Sequence, residues 1–220
     1  MTYNISIVIN SCKPNIDISL KHLLDSIKLY NPGLQVISII GGCHNEDAKS
    51  DNNYTTVRTK HNSIDFTGLI AIIEQSIPTL TTPFIFYMHD TCKIGPDFFT
   101  KLLAVDLKDN KTYGIHRPGM NIGIYSIDIL HKHKNTLLSL KNSENTPESI
   151  HKYKELGVHK ENIIFKENKN HEILIGTRTV SPPHDYYNTG VMRIVEYYGS
   201  LDLYKIKANW RRKITYELRL

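Results

Sequence analysis

The stretch that most constrains this chain runs from Pro83 to Phe99. It opens Phe84-Ile85-Phe86-Tyr87-Met88, an apolar, largely aromatic run of strand length without polar alternation. Such a run suits a strand buried on both faces of a parallel sheet. It stops on three polar side chains, His89-Asp90-Thr91. Gly95-Pro96 follows, and a helix is predicted over residues 97–103, with Pro96 suited to its first turn. A carboxylate at the carboxyl end of a central strand stands where open α/β sheets bind ligands. The alternative role for Asp90 is to cap the turn, as aspartate often does.

The preceding chain supplies the sheet. Residues 5–10 form a β-branched strand, followed by the loop Ser11-Cys12-Lys13-Pro14-Asn15. Residues 17–30 carry apolar side chains at helical spacing and stop at Asn31-Pro32-Gly33. A second buried strand, 34–40, ends in Gly41-Gly42, and the polar stretch 47–53 reads as a connection to a short strand over 54–59. Helix returns over 65–77, before the strand at 83–88. This alternation predicts an α/β fold, a mostly parallel sheet flanked by helices. The carboxyl ends of parallel strands share one edge, so residues 10–13, 41–46 and 89–93 should line one crevice, with Cys12, Cys43 and Cys92 at that edge.

The second half is less regular. Short strands are predicted over 112–116 and 122–126, helix over 127–140, a polar loop over 141–147 and a charged helix over 147–156. A strand over 173–179, a stiff turn at Ser181-Pro182-Pro183-His184-Asp185 and closing strands over 193–198 and 201–207 complete the chain, with a basic and apolar tail over 211–220.

With 220 residues the chain can bury a sizeable core as one domain. A net charge of +5 mildly favours phosphate-bearing ligands but is too diffuse to argue for nucleic acid. No apolar run reaches membrane-spanning length and the N-terminus lacks a signal-peptide shape, so a cytoplasmic location is expected. Three cysteines without close pairing argue against a disulfide framework.

The crevice offers Asp90, His89, Asn62, Asp65, Lys13 and the Gly41-Gly42 turn. A carboxylate beside a histidine suits a hard divalent ion such as Mg²⁺ or Mn²⁺, which completes its shell with phosphate oxygens and water. Such an ion would stabilise the charge on a departing diphosphate. A glycine pair permits close backbone approach to a ligand but is also an ordinary turn. Phosphate-loop patterns are absent.

In order, these parts resemble the GT-A fold of nucleotide-sugar glycosyltransferases. The resemblance rests on residues 5–13, on Asn62 with the helix from Asp65, on 84–99, and on 113–126 with Met120-Asn121-Ile122-Gly123. It covers residues 1–130 well and the remainder weakly. It implies a nucleotide-binding half over 1–110 and an acceptor-binding half over 111–220. The nucleotide would lie along Asn10, Ser11, Cys12, Lys13, Gly41, Gly42, Asn62, Asp65 and His89, and the sugars near Met120, Asn121 and Gly123. The family's Asp-x-Asp reads His89-Asp90-Thr91 here, so one acid remains. Asp90 would take the catalytic, metal-facing role, Thr91 that of a hydrogen-bonding neighbour, and His184 that of a late metal or phosphate ligand; a surface role for His184 is the alternative. The implied donors are UDP-, GDP- or dTDP-sugars and the acceptors a glycan, protein or small molecule. Use of Lys, Asn and Ile is heavy, which fits an AT-rich genome, and a viral chain of this kind would work in the host cytoplasm.

Inverting transfer needs a general base, for which Asp185, Glu144 and Glu148 are candidates; retaining transfer need not use one. Each of these acids is equally suited to a solvated loop or helix start. Three rival readings stand beside this one. A nucleotidyltransferase would carry a Gly-rich, basic signature after the first strand, which Ser11-Cys12-Lys13-Pro14 does not supply. A zinc module built on Cys12, Cys43, Cys92 and His89 would present closely spaced ligand pairs, which are missing. A catalytically inactive GT-A-like sugar- or partner-binding module is the third, separated by activity on a nucleotide-sugar.

Overall fold

A computed structural model describes residues 3–74, 77, 80–116, 121–144, 146–157 and 163–208. The first half contains β1 (Ile5–Cys12), α1 (Lys21–Tyr30), β2 (Val36–Gly41), β3 (Asp47–Asp51), β4 (Tyr54–Arg58), α2 (Thr67–Glu74), β5 (Phe84–His89), β6 (Cys92–Ile94) and α3 (Phe98–Leu103). Then come β7 (Thr112–Gly114), β8 (Gly123–Ser126), α4 (Ile127–Lys132), α5 (Lys134–Leu138), α6 (Pro147–Gly157), α7 (Ile163–Glu167), β9 (His171–Ile173), β10 (Arg178–Val180), β11 (Arg193–Tyr198) and β12 (Leu203–Ala208).

The main sheet has eight strands in the order β3-β4-β2-β1-β5-β8-β7-β9. β1 runs parallel to β2 and β5, and β2 parallel to β4. β5 is buried at every position, as an unalternating apolar run requires. Its side chains divide between two cores by strand periodicity. Phe86 and Met88 join Ile7 and Ile9 of β1, Leu23 and Ile27 of α1, and Phe98 and Leu102 of α3 on one face. Ile85 and Tyr87 join Val8, Ile37, Ile39 and the α2 residues Leu69, Ile70 and Ile73 on the other. Each such side chain contributes about 1.5–3 kcal/mol by leaving water.

A second, antiparallel sheet has the order β10-β11-β12-β6. β6 begins three residues after β5 ends, so this sheet is tied to the carboxyl end of the central strand. Ile206 N donates to Thr91 O at 2.8 Å, joining β12 to the turn between β5 and β6.

Several elements differ from their sequence expectation. The polar stretch at 47–51 is an edge strand antiparallel to β4, and its exposed charges suit an unpaired edge. The helix expected over 127–140 breaks at His133 into α4 and α5. The strand expected over 173–179 is two strands, β9 on the main sheet and β10 on the second. Residues Ile16–Leu20, at the start of the first expected helix, form a π turn. α7 and β6 carry too few residues to show a period. The tail at 211–220 lies outside the described residues. No described helix is long and apolar enough to cross a membrane.

Candidate active site at the carboxyl edge of the sheet

β1 and β5 run in register to Asn10 opposite His89, and Asp90 N donates one further bond to Asn10 O at 2.9 Å. The chain then turns into β6, leaving the Asp90 carboxylate at the strand end. Ser11 Oγ, beyond the same register point of β1, donates to Asp90 Oδ2 at 2.8 Å. Asp90 is only 4% exposed. Burial pushes its pKa up, while the hydrogen bonds from Ser11 and Asn15 and the charge of Lys205 pull it back down.

His89 is the hub of a buried network. Its Nε2 donates to Asn121 Oδ1 at 2.6 Å, and its Nδ1 accepts from Lys205 Nζ at 3.1 Å. Burial, and then the Lys205 charge, lower its pKa to about 4, so the ring is neutral near pH 7. The proton therefore sits on Nε2. Asp65 Oδ1, 3.6 Å from the unprotonated Nδ1, makes an electrostatic contact and no hydrogen bond. Asn121 Nδ2 donates to Asp65 O at 2.5 Å, an oxygen that also accepts from Tyr87 OH at 2.8 Å.

Asn10 and Asn62 set the path into α2. Asn10 Nδ2 donates to Ile64 O and its Oδ1 accepts from Gly68 N, both at 2.8 Å. Asn62 Oδ1 accepts from Ile64 N at 3.1 Å, an Asx turn. These bonds hold Ile64 at a φ of 50°, a region that a β-branched residue rarely enters. The strain fixes the direction in which Asp65 leaves the chain; its side chain is 29% exposed. Asn10 and Asn121 thus spend both ends of their amides on protein groups and position the edge.

The Gly41-Gly42 turn also serves the protein. A Cβ on Gly41 would stand 2.9 Å from Thr67 Cγ2 and 3.0 Å from His61 O, so its bareness seats β2 against the start of α2. Gly42 supplies the turn with a φ of 75°. Beside them a cleft of about 300 Å³ is lined by Lys13, Ile16, Cys43, His44, Asn45, Asp47 and Arg58. No disulfide joins Cys12, Cys43 and Cys92, and Cys43 and Cys92 pack in one apolar cluster with burial pushing both thiols up.

The later candidates are dispersed. His184 is exposed, with Nδ1 3.1 Å from Pro182 O. The Asp185 carboxylate accepts from Thr189 N at 2.9 Å and Gly190 N at 2.6 Å, closing its own turn. Glu144 and Glu148 are exposed. A Cβ on Gly123 would stand 2.0 Å from Tyr113 O, so this glycine permits the β7–β8 contact. Met120 lies outside the described residues.

The sequence reading missed Lys205. It lies on β12 opposite Cys92 of β6 and is 6% exposed. Its Nζ spans the two residues flanking Asp90, donating to His89 Nδ1 and to Thr91 Oγ1 at 2.5 Å. Its neighbour Lys207 is paired instead with Glu196 at 2.9 Å, which also holds Arg178 at 3.0 Å and the Tyr198 hydroxyl.

This donor set does not fit a resident divalent ion. Asp90 is the one acid of His89-Asp90-Thr91, the imidazole lone pair beside it accepts from an ammonium, and that ammonium would repel a second cation. Among the described residues no group of three or more His, Cys, Asp or Glu side chains could hold a metal ion, with His184 or without it.

No protein-family model matches the chain, and no curated protein matches it. Among solved structures it is similar to the glycosyltransferase GlyE of Streptococcus pneumoniae TIGR4, at 14% identity and a TM-score of 0.50 over 78% of this chain and 45% of that one. The chain therefore spans less than half the length of GlyE. A glycosyltransferase involved in glycosylation of the major capsid of PBCV-1 is similar at 13% identity and a TM-score of 0.45, over 76% of this chain and 81% of that one. S. aureus TarS 1–349 is similar at 11% identity and a TM-score of 0.44, over 78% and 58%. With its parallel strands, its second sheet anchored past Asp90 and the likeness to GlyE, the chain has the GT-A-like α/β fold found in glycosyltransferases.

Proposed function

We propose that this chain transfers a sugar from a nucleoside-diphosphate sugar to a hydroxyl acceptor. The observation that carries this reading is the buried Asp90 carboxylate at the end of β5, in a GT-A-like fold, beside the cleft at the ends of β1, β2 and β4. In this reading the base and ribose lie in the cleft near Lys13 and Cys43, and the diphosphate runs toward Asp90. Residues 1–110 hold the base and ribose, and the later elements meet the diphosphate and the acceptor.

The Asp90 oxygen not bonded to Ser11 accepts a hydrogen bond from a donor hydroxyl. The bond between the anomeric carbon and the diphosphate oxygen breaks, and its electron pair leaves with the diphosphate. The acceptor oxygen forms the new bond to the same carbon. Its proton passes to a carboxylate in inverting transfer, or to the departing diphosphate oxygen in retaining transfer. Positive charge near the diphosphate lowers the barrier by stabilising the leaving oxygen.

The test is calorimetric titration of UDP, GDP and dTDP, followed by donor hydrolysis with the sugar of whichever nucleotide binds. Binding with turnover is the expected result. Binding without turnover on any acceptor would favour a sugar- or partner-binding module, a reading supported by the single acid in His89-Asp90-Thr91. Failure of all three nucleotides to bind would remove the glycosyltransferase reading.

A further inference from the structure

We propose that Lys205, with Arg193 as a second cation, supplies the positive charge for the departing diphosphate, so that transfer proceeds without a divalent metal; this rests on the function proposed above. An ammonium has three donors. Lys205 uses two, on His89 Nδ1 and Thr91 Oγ1, and both partners are neutral acceptors. The third donor remains for a ligand. The carboxylate across the strand pair does not neutralise it, because Glu196 is engaged by Arg178, Lys207 and Tyr198. Lys205 senses the Asp90 charge but makes no ion pair with it among the described residues, and a phosphate oxygen on the third donor would offset the cost of burying the ammonium.

A second observation points the same way. Arg193 Nε and the Tyr187 hydroxyl are buried and lack a hydrogen-bond partner. The Arg193 guanidinium lies over the Tyr187 ring, 5.1 Å from its centroid. Burial raises the Tyr187 pKa and the Asp90 carboxylate adds to that rise, while Cys92, a neutral thiol, is the register partner of Lys205. Buried donors without acceptors are rare, and Arg193 and Tyr187 present two of them on and before the strand that pairs with β12. A diphosphate reaching from Lys205 to this pair would satisfy them. As the bond from the anomeric carbon to the diphosphate oxygen breaks, its electron pair comes to rest on oxygens that face Lys205 and Arg193. No co-reactant beyond donor and acceptor is needed.

The experiment is titration of the full chain with UDP, GDP and dTDP, once with EDTA and once with Mn²⁺, repeated for Lys205→Met and Lys205→Arg. One nucleotide is expected to bind the wild-type chain equally in both conditions. Lys205→Met should weaken it by roughly tenfold or more, the weight of one charge-assisted hydrogen bond, and Lys205→Arg should retain most of the affinity. Binding of the corresponding nucleoside, which lacks phosphate, should be the same in Lys205→Met as in wild type. A wild-type chain that binds nucleotide only with Mn²⁺ would overturn the metal-free assignment and leave the glycosyltransferase reading standing. Lys205→Met binding as wild type does would overturn the assignment of Lys205 and likewise leave that reading standing. No binding in either condition would remove both. If Lys205→Met fails to fold, Lys205→Gln, which keeps a hydrogen-bonding end without the charge, takes its place in the same titration with the same loss expected.

Discussion

Acidification should destabilise this protein through His89, and the effect can be isolated. The folded-state pKa of His89 lies at about 4 against an ordinary value of 6.5, because burial and then the Lys205 charge oppose protonation. Between those values the unfolded chain binds a proton that the folded chain refuses. Stability contributed by the neutral ring is thus complete above about pH 6.5 and is lost as the pH falls toward 4. Each pKa unit corresponds to about 1.4 kcal/mol, so the loss attributable to His89 is on the order of 3 kcal/mol. Asp90 works in the opposite sense, since burial raises its pKa and protonation relieves the folded state. Other histidines, His22, His61 and His171, are lowered by burial and add to the acid loss. The comparison is therefore between wild type and His89→Gln, in which the other groups are common to both. Urea unfolding at a series of pH values from 7.5 to 4 should give two stability curves that converge as the pH falls, with wild type losing about 3 kcal/mol more than the variant. Parallel curves would refute the buried, neutral His89 and the Lys205 contact that keeps it so.

Other outcomes follow from the same geometry. Asp90→Asn should lower transfer by roughly ten- to hundredfold, the loss of one hydrogen bond to a charged acceptor, while its unfolding temperature, read by calorimetry, stays level or rises because a buried charge has gone. Asn121→Ala should lose on the order of 2–4 kcal/mol in denaturant unfolding, since it strands the His89 Nε2 proton and one bond to Asp65 O. Gly123→Ala should fail to give folded protein or unfold far below wild type, because its Cβ would meet Tyr113 O at 2.0 Å; a near-normal melting curve would show that β7 and β8 can separate.

The parts of this fold that could be read from sequence are those set by local pattern. β1, β2 and β5 are buried on both faces, so their apolar runs announce them, and parallel pairing then places their ends together. That logic finds Ser11, His89 and Asp90 without any knowledge of side-chain contacts. It does not show whether a polar group at the edge faces a ligand or the protein. Asn10, Asn121 and Gly41 satisfy the sequence criteria for ligand contact, and each is engaged by its own chain. Lys205 was illegible for a different reason. Leu203-Tyr204-Lys205-Ile206-Lys207 reads as a strand with its lysines toward water, yet the β12–β6 pairing turns Lys205 inward at 6% exposure. Only that long-range register distinguishes it from Lys207.

The contact between Lys205 and His89 spans 116 residues of chain. During synthesis β1, α1, β2, α2 and β5 emerge and can pair long before β12 leaves the ribosome. The carboxylate is therefore installed early and the cation late. A nascent or proteolytically shortened chain that lacks β12 would keep its central strands yet carry Asp90 with no ammonium beside it. On the role proposed for Lys205, such fragments would lack the cation that receives the leaving charge. On that role, order of assembly would act as a safeguard, with competence arriving once the polypeptide has been read through to its second sheet.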